Sequence, residues 1–228
     1  MLKNISSRLR WLFFIAALAF QATWYALLWV SYVRDPQVLA EADFRAFYAA
    51  GRIARQEGFG RVYDLTLEHR FQAEVAGRPV TDEELLTYNH PPFLLPVLWL
   101  LAHLDYSAAY IGYCLAQILL AMAGLPFLFR MLRAKDWPTF QIWILLVGVL
   151  LFQPLFISIL KGQDTAFYLF GGILWLCGLM RDDDRMAGLS LSLTLIRPQI
   201  AVVLAIPFLF RRRKVYWSFC AGGLRWDY

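Results

Sequence analysis

Charge is scarce in this chain of 228 residues: Asp, Glu, Lys and Arg make up only 17%, against ~25% in an ordinary soluble domain. Set beside 60% hydrophobic residues, that shortage argues against a disordered chain, a soluble enzyme and a nucleic-acid-binding domain alike. Cysteine is scarce too. Cys114, Cys177 and Cys220 are the only three, each lies in apolar surroundings, and none has metal-ligand spacing. They read as buried, inert thiols, not as a disulfide framework or a zinc site. The chain also lacks Gly-x-Gly-x-x-Gly, a Walker loop, His-Glu-x-x-His and a serine-nucleophile motif. Any chemistry therefore falls to carboxylates and cations in or beside a membrane.

What the sequence does contain is long apolar runs. The first covers 11–33 and follows Lys3, Arg8 and Arg10. It is too long for the core of a signal peptide and no small-x-small cleavage site follows, so it reads as a retained helix with a cytoplasmic N-terminus. Further spans are expected at 106–129, 140–160 and, shorter, 165–180. The run 93–104 is too short to cross, starts after Pro91-Pro92 and reads as a re-entrant or juxtamembrane helix. Two short apolar pieces, 186–196 and 200–210, flank Arg197-Pro198-Gln199. The fold class is an all-α polytopic membrane protein with short re-entrant or broken helices.

Charge distribution orients this set. The segment 34–91 holds 7 Arg and 10 Asp or Glu, and the remainder holds 15 Lys or Arg against 7 Asp. If 93–104 does not cross, and the pieces around Arg197 form an up-and-down pair, the basic clusters at 130–135, 181–185 and 211–214 all lie inside. The long loop 34–91, the turn 161–164 and Arg197 then lie outside, as the positive-inside rule requires. The Asn4-Ile5-Ser6 glycosylation tripeptide falls inside and is discounted. Within the outer loop, Phe44, Phe47 and Tyr48 have helical spacing and suggest an amphipathic helix along the membrane surface, ended by Gly58 and Gly60. A turn is expected over 75–79.

Four polar features share the outer face. Asp43, between apolar neighbours, reads either as a proton-accepting carboxylate or as the cap of the following helix. His90, in Tyr88-Asn89-His90-Pro91-Pro92, either donates to a phosphate at the membrane boundary or is incidental to a helix start. Lys161-Gly162-Gln163-Asp164 puts charges against the hydrocarbon with almost no loop. Lys161 could meet a phosphate and Gln163 a sugar hydroxyl, or Lys161 and Asp164 could satisfy each other. Arg197, beside a proline, suits a lipid-linked phosphate or snorkels from a kinked helix. The run Arg181-Asp182-Asp183-Asp184-Arg185 reads as a self-neutralised cytoplasmic turn, not as a metal site.

These motifs, in this order, resemble glycosyltransferase family 87, the polyprenol-phosphate-mannose-dependent mannosyltransferases with the GT-C membrane fold. The resemblance is carried by Asp43-Phe44 with Phe47-Tyr48, Val62-Tyr63-Asp64, Tyr88-Asn89-His90-Pro91-Pro92-Phe93, Gly162-Gln163-Asp164, and Ala187-Gly188-Leu189 followed by Ile196-Arg197-Pro198. Thr165 and Arg197 stand where the family usually has Asn and Lys. The resemblance implies a GT-C-like helical bundle with a long extracytoplasmic first loop. Residues 1–214 would form the N-terminal part of its membrane domain, and 215–228 the start of a further helix, incomplete because the family continues.

It also implies transfer of a sugar, mannose, from a polyprenyl-phosphate donor to a glycolipid or polysaccharide acceptor on the outer face of a plasma membrane. Asp43 would be the catalytic base. Lys161, Arg197 and His90 would meet the donor phosphate, and Tyr48, Tyr88, Gln163 and Asp164 the sugar or acceptor. No metal and no cofactor is implied, because the leaving group is already a phosphate. The rival class is a lipid or solute transporter or a lipid-binding subunit, whose broken helices would open to both faces in turn.

Overall fold

The computed structural model describes residues 7–224. Lys3, the Asn4-Ile5-Ser6 tripeptide, the side chains of Arg8 and Arg10 and the last four residues lie outside that description. Twelve α-helices and no strand are found among the described residues. They are α1 Ser7–Arg34, α2 Pro36–Ala40, α3 Phe44–Gln56, α4 Leu65–Ala76, α5 Leu95–Leu101, α6 Tyr106–Arg133, α7 Thr139–Leu150, α8 Gln153–Leu160, α9 Thr165–Met180, α10 Asp184–Ser192, α11 Pro198–Arg211 and α12 Arg213–Leu224.

Among the described residues, three stretches are long and apolar enough to cross a membrane: Trp11–Arg34, Tyr106–Arg133 and Thr139–Leu160. The first packs through one stripe only. Tyr25 and Tyr32 are buried, with Leu28, Trp29 and Val33 beside them, while Phe13, Phe20 and Leu27 face outward. That narrow contact is what a lipid-bathed helix needs, because hydrocarbon is as good a solvent for its other faces as protein is.

The third stretch is broken. α7 ends at Leu150 and α8 restarts at Gln153, with Pro154 in its first turn. Proline supplies no N–H and clashes with the preceding turn, so the helix cannot run through. A carbonyl freed in hydrocarbon needs a donor, and Tyr25 Oη of α1 donates to Leu151 O at 2.9 Å.

Past α1 the chain folds into a lobe of short helices. Asp35 caps α2 and Asp64 caps α4, each accepting from two backbone N–H groups. The expectation of a surface-lying amphipathic α3 is corrected. Phe44, Phe47, Ala50, Ile53 and even Arg45 are buried, and the helix packs between α4, α5 and α6. Arg45 faces the lobe while Arg55 and Gln56 stay exposed, so the periodicity gave the helix but not its surroundings. At the other end of the molecule α9, α10 and α12 pack closely. Gly188 lies against the Val215 carbonyl, where any Cβ would collide with backbone. The Ala187-Gly188 pair is thus a close-approach surface of the kind small residues give membrane helices.

Candidate functional site

The site is built on the turn between α8 and α9. The α8 helix ends in two bonds, Gln163 N to Ser158 O at 2.8 Å and Gly162 N to Ile159 O at 2.9 Å, the paired pattern of a Schellman cap. That cap needs a left-handed residue, and Gly162 sits at φ 72. It also lies against α3: a Cβ on Gly162 would stand 2.5 Å from Phe44 Cβ. Phe44 N donates to Lys161 O at 3.1 Å. So the turn is fastened to the start of α3, and Gln163 and Asp164 are aimed back into the molecule.

α6 fixes the same turn from the other side. Tyr110 Oη donates to Leu160 O at 2.6 Å, Cys114 Sγ to Ile159 O at 3.3 Å, and Gln117 Nε2 to Gln163 O at 2.7 Å. Gln117 Oε1 also accepts from Ala166 N. Positions 110, 114 and 117 share one helical face. The sequence reading missed them, although a polar stripe at that spacing in an apolar span is itself a signal, since polar groups in hydrocarbon must find partners. It also missed Ser158, whose hydroxyl donates to Gln163 Oε1 at 3.1 Å and bonds Thr165 Oγ1.

Two carboxylates meet this turn. Asp43 stands at the first position before α3, yet its side chain makes no cap bond. It turns instead to Gln163, whose Nε2 donates to Asp43 Oδ2. The cap alternative for Asp43 is therefore set aside. Asp164 has no solvent exposure. Its Oδ2 accepts from Tyr168 Oη at 3.0 Å and lies 3.0 Å from His90 Nε2, and its Oδ1 accepts from Arg197 Nη2 at 3.2 Å. Arg197 Nε donates to Tyr168 Oη at 2.8 Å. Burial alone would raise the Asp164 pKa, but the His90 contact and the Arg197 charge outweigh it and hold the carboxyl below its usual range. Asp164 is thus a buried anion that aligns a guanidinium, and Arg197 remains 37% exposed at the side chain.

The expected site residues divide accordingly. Asp43 and Gln163 come together, as do His90, Asp164 and Arg197, from four separate parts of the chain. Lys161 does not pair with Asp164. Its Nζ lies 5.6 Å over the Tyr32 ring, a cation–π contact. Three residues expected to meet a sugar or acceptor are engaged inside the protein. Tyr48 and Tyr88 are buried and donate to Leu104 O and Pro91 O, and Asp164 is enclosed. Burial consumes their hydrogen-bonding capacity inside the protein. Tyr63, of the Val62-Tyr63-Asp64 motif, donates to His90 O at 2.9 Å.

A groove of about 900 Å³ opens beside the turn. Its walls are apolar, with Leu145, Val149, Leu155 and Leu169 among them, and its polar end is formed by Ser158, Gln163, Thr165 and Tyr168. An apolar trough ending in fixed polar groups suits a ligand with a long hydrocarbon part and a polar head. Among the described residues no cluster of His, Cys, Asp and Glu has the geometry to hold a metal ion. The acidic run is engaged otherwise: Asp183 caps α10 and Asp184 pairs with Arg212.

Comparison with known proteins gives one match. A model of a family described as Glycosyltransferase family 87 matches residues 88–224. Searches of curated proteins and of solved structures give no match. The matched region holds His90, the 161–164 turn and Arg197, and Asp43 lies ahead of it.

Proposed function

The chain belongs to glycosyltransferase family 87, and from that premise we propose that it moves mannose from a polyprenyl-phosphate donor to a hydroxyl of a glycolipid or polysaccharide. It is an all-α membrane glycosyltransferase. The donor class is the added step. The observation that carries it is the apolar groove running to Gln163 and Tyr168, beside the half-exposed Arg197. A polyprenyl chain would lie along the trough, with its phosphate at the guanidinium.

In the reaction the acceptor oxygen attacks the anomeric carbon as the bond from that carbon to the phosphate oxygen breaks. The leaving polyprenyl phosphate takes the electron pair, and Asp43 takes the hydroxyl proton. Attack opposite the leaving group inverts the configuration. Gln163, donating to Asp43 Oδ2, orients that carboxylate and leaves its other oxygen for the acceptor. Arg197 and Lys161 meet the charge that builds on the phosphate. Asp164, Tyr168 and His90 hold Arg197 in place, so its fork is set before the donor arrives. The distribution of basic residues supports an outer-face site in a plasma membrane with the N-terminus inside.

Isolated membranes containing the protein test the donor. Radiolabelled mannose is supplied on polyprenyl phosphate or on a nucleotide, and label is followed into lipid and polysaccharide. Incorporation from the polyprenyl-phosphate donor alone is expected, with a raised donor KM in Arg197→Gln. Incorporation from the nucleotide after polyprenyl-phosphate sugar synthesis is blocked would overturn the donor. Uptake of lipid across the bilayer without any transfer would favour the transport class.

A further inference from the structure

The segment 84–90 forms neither helix nor strand, yet every second residue in it is held by a side chain. Arg45 Nη2 donates to Glu84 O at 2.7 Å. The Gln72 amide grips both backbone groups of Leu86: Nε2 donates to Leu86 O at 2.6 Å, and Oε1 accepts from Leu86 N at 3.1 Å. Tyr88 N donates to the Glu68 carboxyl, 3.3 Å from each oxygen. Tyr63 Oη donates to His90 O at 2.9 Å.

A period of two is that of an extended chain, whose alternate residues present both N–H and C=O to one edge. The partner here is no strand. Glu68 and Gln72 are four apart on α4, about 6 Å along a helix axis, which matches the spacing of two residues along an extended chain. One helix face thereby serves as a strand's neighbour. The grip is also internally braced, since Arg45 Nε donates to Gln72 Oε1 at 3.2 Å. Arg45, Glu68 and Gln72 are 4%, 1% and 0% exposed. Burying an arginine, a glutamate and a glutamine in one lobe is costly unless each is engaged. Here each is engaged by the same strap.

The strap ends at His90, whose ring packs on Phe47 and Tyr88 and lies against Asp164. We propose that Gln72, with Arg45 and Glu68, is a positioning residue for the transfer site, holding the 84–90 strap so that His90 reaches Asp164 and keeps Arg197 aligned. This rests on the reading of Arg197 as the donor-phosphate group, but the grip itself is open to a test that needs no activity.

Hydrogen exchange of the purified full chain in detergent reads the grip directly. Gln72→Leu and Gln72→Asn, the second shorter by one methylene and still polar, should speed exchange at 86–90 tenfold or more. Exchange should also quicken at 161–168, the turn and the first residues of α9, while α7 and the rest of α9 stay as in the parent. Glu83→Gln, at an exposed residue of the adjoining turn that takes no part in the grip, should leave all of these unchanged. In the transfer assay the Gln72 variants should raise the donor KM or lower kcat about tenfold, and Glu83→Gln should stay within twofold. Unchanged exchange at 86–90 would overturn the grip. Faster exchange there with the 161–168 turn unchanged, or loosening throughout the lobe, would overturn the positioning role. If the parent protein transfers nothing from polyprenyl phosphate, the donor reading fails while the exchange result still decides the grip.

Discussion

Asp43 and Gln163 are 120 residues apart in sequence and share a hydrogen bond. That pairing selects Asp43 from the ten acidic residues between 34 and 91. A charge pattern alone could not, because an acid ahead of a helix is equally a cap. The second residue-scale feature is Tyr168, which donates to Asp164 and accepts from Arg197. Tyr168→Phe removes both bonds and keeps the ring. It should lower stability by about 1–3 kcal/mol, read as a lower Tm in detergent, and raise the donor KM. An unchanged Tm and KM would mean that Asp164 aligns Arg197 without it. Tyr168 lay inside an apolar run, so nothing in its neighbourhood marked it. Asp164 and Arg197 were visible because charges near hydrocarbon stand out, but their pairing across 33 residues was not.

At the scale of elements, a four-residue turn sets most of the geometry. Gly162 is required twice, by its φ of 72 and by its contact with Phe44. Gly162→Ala should cost about 1–3 kcal/mol and lower transfer, because Gln163 is the next residue and must shift with it. Thermal melting and the transfer assay check this, and a variant as stable and active as the parent would contradict the cap. The sequence showed the turn, through its charges and its lack of loop, and the break at Arg197, through Pro198, but it read 140–160 as one span and missed the break ahead of Pro154. It did not show how α3 lies. Aromatic periodicity names the face that wants burial, and a lobe with its own core satisfies that demand as well as a membrane surface does. The placement of α3 depends on α4 and α5 folding over it, which is tertiary information.

At the scale of the molecule, apolar helices and an acidic lobe have different sensitivities. Within the lobe, burial raises Glu68 from its usual 4.5 to about 7, while Arg78 holds Glu84 down at about 2. The folded lobe therefore binds more protons at Glu68 than the unfolded chain does between pH 4.5 and 7. Stability from this group is full below 4.5, falls as pH rises through that window and levels off above 7. Glu84 acts oppositely and only below 4.5, losing its contribution as pH falls towards 2. Urea unfolding of the lobe between pH 5 and 8 should show a decline that Glu68→Gln flattens. The same decline in that variant would assign it to another group.

The fold class was legible from run lengths, because the bilayer imposes them. The enclosure of Asp164, Tyr48 and Tyr88 was not, since burial depends on what packs above a residue.

The central claim is that Asp43 takes the acceptor proton during transfer from a polyprenyl-phosphate sugar. Asp43→Asn keeps the size of the side chain and removes its basicity, so transfer of labelled mannose in membranes carrying equal amounts of protein tests it most directly. The account expects a loss of at least ~100-fold. Transfer within a few-fold of the parent would contradict it.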